Sequence, residues 1–240
     1  MTKTKGQDNH KTLLLGNVAM ARGAWEAGVR VSSAYPGTPS TEVSEALAKY
    51  PEVYVEWAPN EKVALEVAIG ASIQGARSLA TMKHVGLNVA ADPLYTASYT
   101  GVNGGLVIIV ADDPGFYSSQ NEQDTRAVAR AAHVPVLEPS NSQEAKDFVK
   151  LAYGLSEEYD TPVIVRSTTR LSHSQTLVEL EDRDERELKD YEDNPGKYVM
   201  TPANATKRRP WVVEKIARLQ STDLPGLNRV EMRDKKLGVI

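Results

Sequence analysis

Helix-like and strand-like segments alternate along the chain from residue 13 to about residue 177. A short apolar run at 13–15 leads into a predicted helix over 16–27, and residues 29–35 read as a strand ending in the turn Pro36-Gly37-Thr38-Pro39-Ser40. A short helix is predicted over 41–49 and a strand over 53–57. Asn60 caps the next helix, which runs to about residue 74 with Val63, Ala64, Val67, Ala68 and Ala71 on one face. Residues 78–82 read as a strand, and the Gly- and Ala-rich stretch from 86 to about 99 as helical. The run LVIIVA at 106–111 has β-branched residues and no polar alternation, as expected of a strand covered on both faces. Helices over 123–132 and 142–158 and strands over 134–137 and 162–166 complete the series. Strands separated by helices at this rhythm imply right-handed βαβ units. The expected fold is α/β, a doubly wound, mainly parallel sheet with helices on both faces.

The flanks read differently. Residues 1–12 are polar and expected to be disordered, the α/β domain to occupy 13–178, and a C-terminal tail to occupy 179–240. Residues 179–193 carry nine acidic and three basic residues, which predicts a solvated acidic linker. Beyond it stand Pro202, the basic run Lys207-Arg208-Arg209-Pro210, and one short amphipathic helix over 211–220 with Val212, Val213, Ile216 and Leu219 as its apolar positions. The final KLGVI at 236–240 reads as the start of a buried strand, and so of a following domain.

Composition narrows the function. The 240 residues are 41% hydrophobic, enough to bury a core, and carry a net charge of −4, which argues against a nucleic-acid binder. No apolar run approaches the roughly 20 residues that span a bilayer and no secretory signal is evident, so a soluble, cytoplasmic chain is expected. The chain has no Cys, so it holds no disulfide, Cys-ligated zinc or iron–sulfur cluster of its own, and any redox chemistry needs a bound cofactor or another chain. Its four His residues make a His-rich metal site unexpected, and no metal site is predicted.

In parallel α/β sheets the loops at the carboxyl ends of the strands build the site. Tyr35-Pro36-Gly37-Thr38-Pro39-Ser40-Thr41 is a rigid turn with hydroxyls beside a helix start. Asn60-Glu61 opens a helix of small apolar residues, which packs closely and would leave Glu61 partly desolvated; by itself such a carboxylate is also ordinary dipole compensation. Lys83-His84-Val85-Gly86-Leu87-Asn88 sets two basic groups at a strand end, with Gly86 leaving room for a close approach. Asp112-Asp113-Pro114-Gly115 is first a turn, and its spacing matches no metal loop. Arg166-Ser167-Thr168-Thr169-Arg170 is suited either to an anion or to pairing with the acidic loops. Walker A, GxGxxG and Gly-x-Ser-x-Gly patterns are absent.

The strings YPGTPST (35–41), PNEKVALEVAIGAS (59–72), GARSLATMKHVGLNVAADPL (75–94), ADDPG (111–115) and SSQNEQDTR (118–126), in this order, resemble a known family. They are similar to the pyrimidine-binding (Pyr) domain of the thiamine-diphosphate-dependent 2-oxoacid:ferredoxin oxidoreductases, and within it to the alpha subunit of the indolepyruvate branch. The resemblance implies that Glu61 hydrogen-bonds the aminopyrimidine of thiamine diphosphate and promotes the tautomer that activates the thiazolium carbon, at which a 2-oxo acid is decarboxylated. It places Thr38 and Pro36 on the loop nearest substrate and cofactor, and Lys83, His84 and Asn88 on the loop facing the thiazolium side. Asp112, Asp113, Gln120 and Arg126 are further candidates from the matching strings. The pyruvate-oxidising branch carries a substrate-binding arginine after the strand that matches LVIIVA, where this chain reads Ala111-Asp112-Asp113-Pro114, in keeping with the indolepyruvate-like branch.

The resemblance implies further parts outside these residues: a diphosphate-binding domain with Mg²⁺, a segment with 4Fe–4S clusters, a smaller beta subunit, ferredoxin and coenzyme A, in a homo- or hetero-oligomer. The expected function is the Pyr-domain portion of an enzyme converting aryl-2-oxo acids to aryl-acetyl-CoA, inactive in isolation. Two alternatives are the alpha chain of a two-subunit 2-oxoacid decarboxylase and a noncatalytic Pyr-fold interaction module.

Overall fold

The computed structural model describes residues 11–222 together with 224, 227, 228 and 236. Six parallel strands form one sheet: β2 (Val31–Ala34), β3 (Tyr54–Trp57), β4 (Ser78–Lys83), β5 (Leu106–Asp112), β6 (Val136–Leu137) and β7 (Val163–Thr168), in the order β3-β2-β4-β5-β7-β6. These are the six strands read from the sequence, and the doubly wound α/β fold is the one expected. Every residue of β5 is buried, with Val107 and Ile109 in one core and Leu106, Ile108 and Val110 in the other. Burial contributes about 1.5–3 kcal/mol for each such side chain, so a run without polar alternation is what a central strand requires.

Helices cover both faces. On one lie α1 (Gly16–Glu26), α2 (Thr41–Leu47) and α7 (Ser142–Tyr159); on the other lie α3 (Glu61–Ile73), α4 (His84–Val89), α5 (Ala91–Thr100) and α6 (Thr125–Ala132). Local caps start them: Asn60 accepts from the Val63 amide at 3.0 Å, and Asn141 from that of Glu144 at 3.0 Å. The chain leaves β2 for β3 on one side and returns through α3 to β4 on the other, so the direction of winding reverses between β2 and β4. A crevice at the carboxyl ends of the strands belongs at such a point.

Several expectations are corrected. The single helical stretch over 86–99 is two helices, α4 and α5, broken at Ala90. Residues 1–10 lie outside the described residues, whereas Lys11 and Thr12, expected to be disordered, begin β1 (Lys11–Leu15), which pairs antiparallel with β8 (Gln175–Glu179). That pairing joins residues 160 or more apart and has no local signal. Between β7 and β8 a short helix, α8 (Thr169–His173), turns the chain.

The acidic segment is not a solvated linker. Its outer side is exposed, but its backbone and basic side chains are fastened to the domain. Glu181 N donates to Glu26 Oε1 at 2.8 Å, Asp184 N to Glu26 O at 2.8 Å and Lys189 N to Gly75 O at 3.2 Å. Arg183 donates to the carbonyls of Trp25 and Val29 at 2.7 and 2.8 Å. At Gly75, with φ 91°, a Cβ would lie 2.0 Å from Lys189 O, so only glycine admits the strap there. After α9 (Pro195–Tyr198), the expected ten-residue helix is instead α10 (Pro202–Ser221), capped by Thr201 and containing Pro210. A proline in a helix interior costs about 3 kcal/mol. Tertiary anchors on both sides offset it: Arg208 donates to Tyr99 O at 2.7 Å, and the buried Lys215 ammonium donates to Ser98 O and Thr161 Oγ1, both at 2.9 Å. Val212 is buried as expected, while Val213 faces outward. The strand start expected at 236–240 lies outside the described residues apart from Lys236.

Candidate functional site

A cleft of about 780 Å³ opens at the carboxyl ends of β2, β4 and β5, lined by the loops after β2 and β5 and by the start of α3 and α4. Of the residues singled out in the sequence, Pro36, Glu61, Lys83 and Gln120 meet there. Glu61 is the first residue of α3, whose capped N-terminus favours a negative charge. Its side chain is buried, at 8% exposure, yet among the described residues no donor or cation reaches its carboxylate. Buried carboxylates are ordinarily paired, so an unpartnered one facing a cleft calls for an external donor.

Gly86 sets where that carboxylate sits. A Cβ there would lie 2.4 Å from Glu61 Oε1 and 2.6 Å from its Cγ. The close approach read from this glycine in the sequence is therefore made by Glu61 itself.

Lys83 ends β4 and is buried. Its ammonium donates to Ser118 O at 2.5 Å, and its Cβ lies against Gly37 of the loop after β2. Asp113 holds the opposite side of the same loop. It accepts from Ser118 N at 2.8 Å, Ser119 Oγ at 2.6 Å and Thr169 Oγ1 at 2.7 Å. Burial pushes the Asp113 carboxyl upward, but these hydrogen bonds, with the Lys83 charge nearby, outweigh it and hold its pKa at about 2.

The other candidates lie off the cleft wall. Thr38 is exposed on the β2 loop, and the peptide that joins it to Pro39 is cis. His84 is buried behind the wall, with Nε2 3.3 Å from Asn121 O and Nδ1 without a partner. Asn88 is exposed on α4. Asp112 is structural: it accepts from Arg166 Nε at 2.6 Å and from Thr125 N at 3.1 Å, tying β5 to α6 and β7. Arg126 pairs with Asp124 and Glu138 at the surface. Of the two readings left open for Arg166, pairing with acidic loops is the one observed, through Asp112 and Glu138.

The sequence reading missed Phe116 and Tyr117, which line the cleft and are 56% and 86% exposed. They fall between two of the matching strings, and neither periodicity nor charge marks them. Two exposed aromatics directly after a turn were the available signal.

Comparison with known proteins gives the family and the fold. The family model described as pyruvate flavodoxin/ferredoxin oxidoreductase, thiamine diphosphate-binding, matches residues 22–223. The indolepyruvate oxidoreductase subunit IorA of Archaeoglobus fulgidus is 47% identical over 97% of this chain and 39% of its own length. That of Pyrococcus horikoshii is 48% identical over 96% of this chain and 37% of its own length. The 2-oxoglutarate synthase subunit KorA of Methanothermobacter marburgensis is 30% identical over 77% of this chain and 52% of its own length. A solved 2-oxoglutarate:ferredoxin oxidoreductase from Magnetococcus marinus superposes with a TM-score of 0.72 at 18% identity, covering 91% of this chain and 47% of that one, a likeness of fold. The chain thus spans about two fifths of the length of the IorA relatives. With the model match running through all six strands of the sheet or their flanks, the chain belongs to the thiamine-diphosphate-binding family of the pyruvate flavodoxin/ferredoxin oxidoreductases.

Proposed function

We propose that this chain supplies the pyrimidine side of a thiamine diphosphate site in an enzyme that oxidatively decarboxylates aryl-2-oxo acids of the indolepyruvate type to aryl-acetyl-CoA. The observation that carries this is the Glu61 carboxylate, buried at the wall of the cleft with no partner among the described residues. The residues present fit the cofactor. Glu61 offers an acceptor for a ring N–H, Pro36, Val85 and Val89 offer an apolar wall, and Gly86 leaves the carboxylate the space it occupies.

When bound, thiamine diphosphate supplies the thiazolium carbon at which a 2-oxo acid loses CO₂. Glu61 accepts the hydrogen bond from the pyrimidine N1′ and stabilises its protonated form. The capped α3 N-terminus favours the negative charge of that carboxylate where it faces the cleft. Lys83 places a positive charge on the same wall, suited to the substrate carboxylate.

Mg²⁺, the diphosphate-binding domain and the 4Fe–4S clusters belong to other parts of the complete enzyme, which acts in the cytoplasm with a smaller beta subunit, coenzyme A and ferredoxin in an oligomer. This chain alone carries half of the site and is inactive. Glu61→Gln in the complete enzyme is expected to lower kcat with indolepyruvate at least about 100-fold, the usual scale for loss of a general acid–base group. Turnover within a factor of about three of the unmodified enzyme would remove Glu61 from the mechanism.

A further inference from the structure

The loop after β5 presents two aromatic side chains to the cleft and is unusually well fastened for an exposed loop. Phe116, one of only two phenylalanines in the chain, sits at φ 40° and is more than half exposed. A bulky residue in that region of backbone space is strained, and nothing in the core is gained by its position. Tyr117 folds over the turn, so that a Cβ on Gly115 would lie 3.1 Å from its Cε2. The next peptide is gripped from both sides: Ser118 N donates to the buried Asp113 carboxylate, and Ser118 O accepts from Lys83. Thr169 and Ser119 also donate to Asp113, which stays ionised with its pKa at about 2. The two rings therefore stand on a preorganised platform, which lowers the ordering cost of binding a flat apolar group.

Lys83 joins this platform to the charge on the cleft wall. An ammonium has three donors, and among the described residues the Lys83 ammonium has one acceptor, Ser118 O. A ligand carrying a carboxylate and an aromatic ring on a short stem would meet both features at once.

Resting on the proposed function, we infer that Phe116 and Tyr117 form the aryl-selecting lip of the cleft and that Lys83 holds both the lip and the carboxylate of an aryl-2-oxo acid. The lip determines specificity and takes no part in the cofactor chemistry.

The test uses the complete enzyme carrying Phe116→Ala, Tyr117→Ala or Tyr117→Phe. The KM for phenylpyruvate is measured alongside the inhibition constant of 2-oxobutyrate as a competitor and the affinity for thiamine diphosphate. Each alanine variant is expected to raise the KM for phenylpyruvate about tenfold, the scale of losing an aromatic contact, with kcat within about twofold. The 2-oxobutyrate inhibition constant and the cofactor affinity stay unchanged, and Tyr117→Phe behaves as the unmodified enzyme. Tyr117 is 86% exposed, so its truncation leaves the fold intact and the readout interpretable. Equal shifts for phenylpyruvate and 2-oxobutyrate, or no shift for either, would overturn the lip while leaving the role of Glu61 standing. An unmodified enzyme that binds 2-oxobutyrate as well as phenylpyruvate would instead overturn the aryl substrate reading, and the lip with it.

Discussion

The two ends of the central sheet treat their polar groups in opposite ways. At the carboxyl end, the start of α3 leaves the Glu61 carboxylate buried and unpartnered, facing an open cleft. At the amino end, where the C-termini of α1, α3 and α5 converge, the exposed carbonyls are met by donors from the strap and α10. Arg183 serves α1, the Lys189 amide serves Gly75 after α3, and Arg208 and Lys215 serve α5. In a parallel α/β fold every helix delivers its negative dipole end to the same edge of the sheet, and cations there are stabilising. At one end the carbonyls are thus met by the chain itself, while at the other, where Asp112 and Asp113 are also satisfied internally, Glu61 is left for something brought from outside.

The sharpest break of this comparison sets two buried carboxylates against each other. Glu26 at the amino end accepts from Arg22 at 2.8 Å, Lys146 at 3.0 Å, Lys150 at 3.1 Å and the Glu181 amide at 2.8 Å. Burial would raise its pKa, but these donors, led by Arg22, outweigh burial and hold it below the usual range. Glu26→Leu takes from the fully buried Lys146 one of its three carboxylates, leaving Glu181 and Asp147, and removes the acceptor of the Glu181 amide, so it is expected to cost at least about 2 kcal/mol in urea denaturation. Glu61→Gln removes a buried charge that has no internal partner, so the same measurement is expected to give a change of at most about 1 kcal/mol, in the stabilising direction. Equal losses in the two variants would mean that the ends do not differ in what they do for the fold.

The carboxyl end was legible in the sequence and the amino end was not, for a physical reason. Glu61, Lys83 and Gly86 stand within four residues of a strand end, at the starts of α3 and α4 and the end of β4, where chain order and position coincide. The strap acts through backbone amides and two basic side chains, Arg183 and Lys189, that reach carbonyls more than 80 residues away, those of Trp25 and Asn103. Nine acidic side chains, most of them exposed, then dominate its composition. The same distance hid β8, and the anchors at Arg208 and Lys215 hid a helix that runs through Pro210. Phe116 and Tyr117 went unread because a cleft lip has no periodicity.

A smaller effect sharpens the carboxyl end. Gly86→Ala adds a helix-favouring residue within α4, but its Cβ would lie 2.4 Å from Glu61 Oε1. The carboxylate is the movable partner and is displaced into the cleft. Turnover of the complete enzyme is expected to fall about 10- to 100-fold, as for a misplacement of about 1 Å, with stability changed by about 1 kcal/mol or less. If turnover survives and only stability falls, Gly86 packs the helix and does not position the carboxylate.

The least effect per measurement, and the most specific to the amino end, comes from Lys215. Burial pulls its pKa down to about 7, against the nearby Asp160 carboxylate and with the push of Arg208, while the Trp211 ring lies 4.7 Å from the ammonium. The ordinary value is 10.5, so between about pH 7 and pH 10 the unfolded chain binds the proton that the folded chain has released. Stability attributable to Lys215 therefore rises with pH across that window and is flat below it. The slope is at most about 1.4 kcal/mol per pH unit. Lys215→Met keeps the length of the side chain and removes the titration. Denaturation of both forms at pH 7, 8 and 9 should show the unmodified chain gaining on the variant at each step. Parallel curves would mean that the ammonium stays protonated across this range, held by Ser98 O and Thr161 Oγ1, and that the seam between α10 and α5 is a charged cap like that of Arg183. A rising difference would make this seam the one place at the amino end where neutralisation gives way to a neutral amine, and where docking of the C-terminal helix tightens as the medium becomes more alkaline.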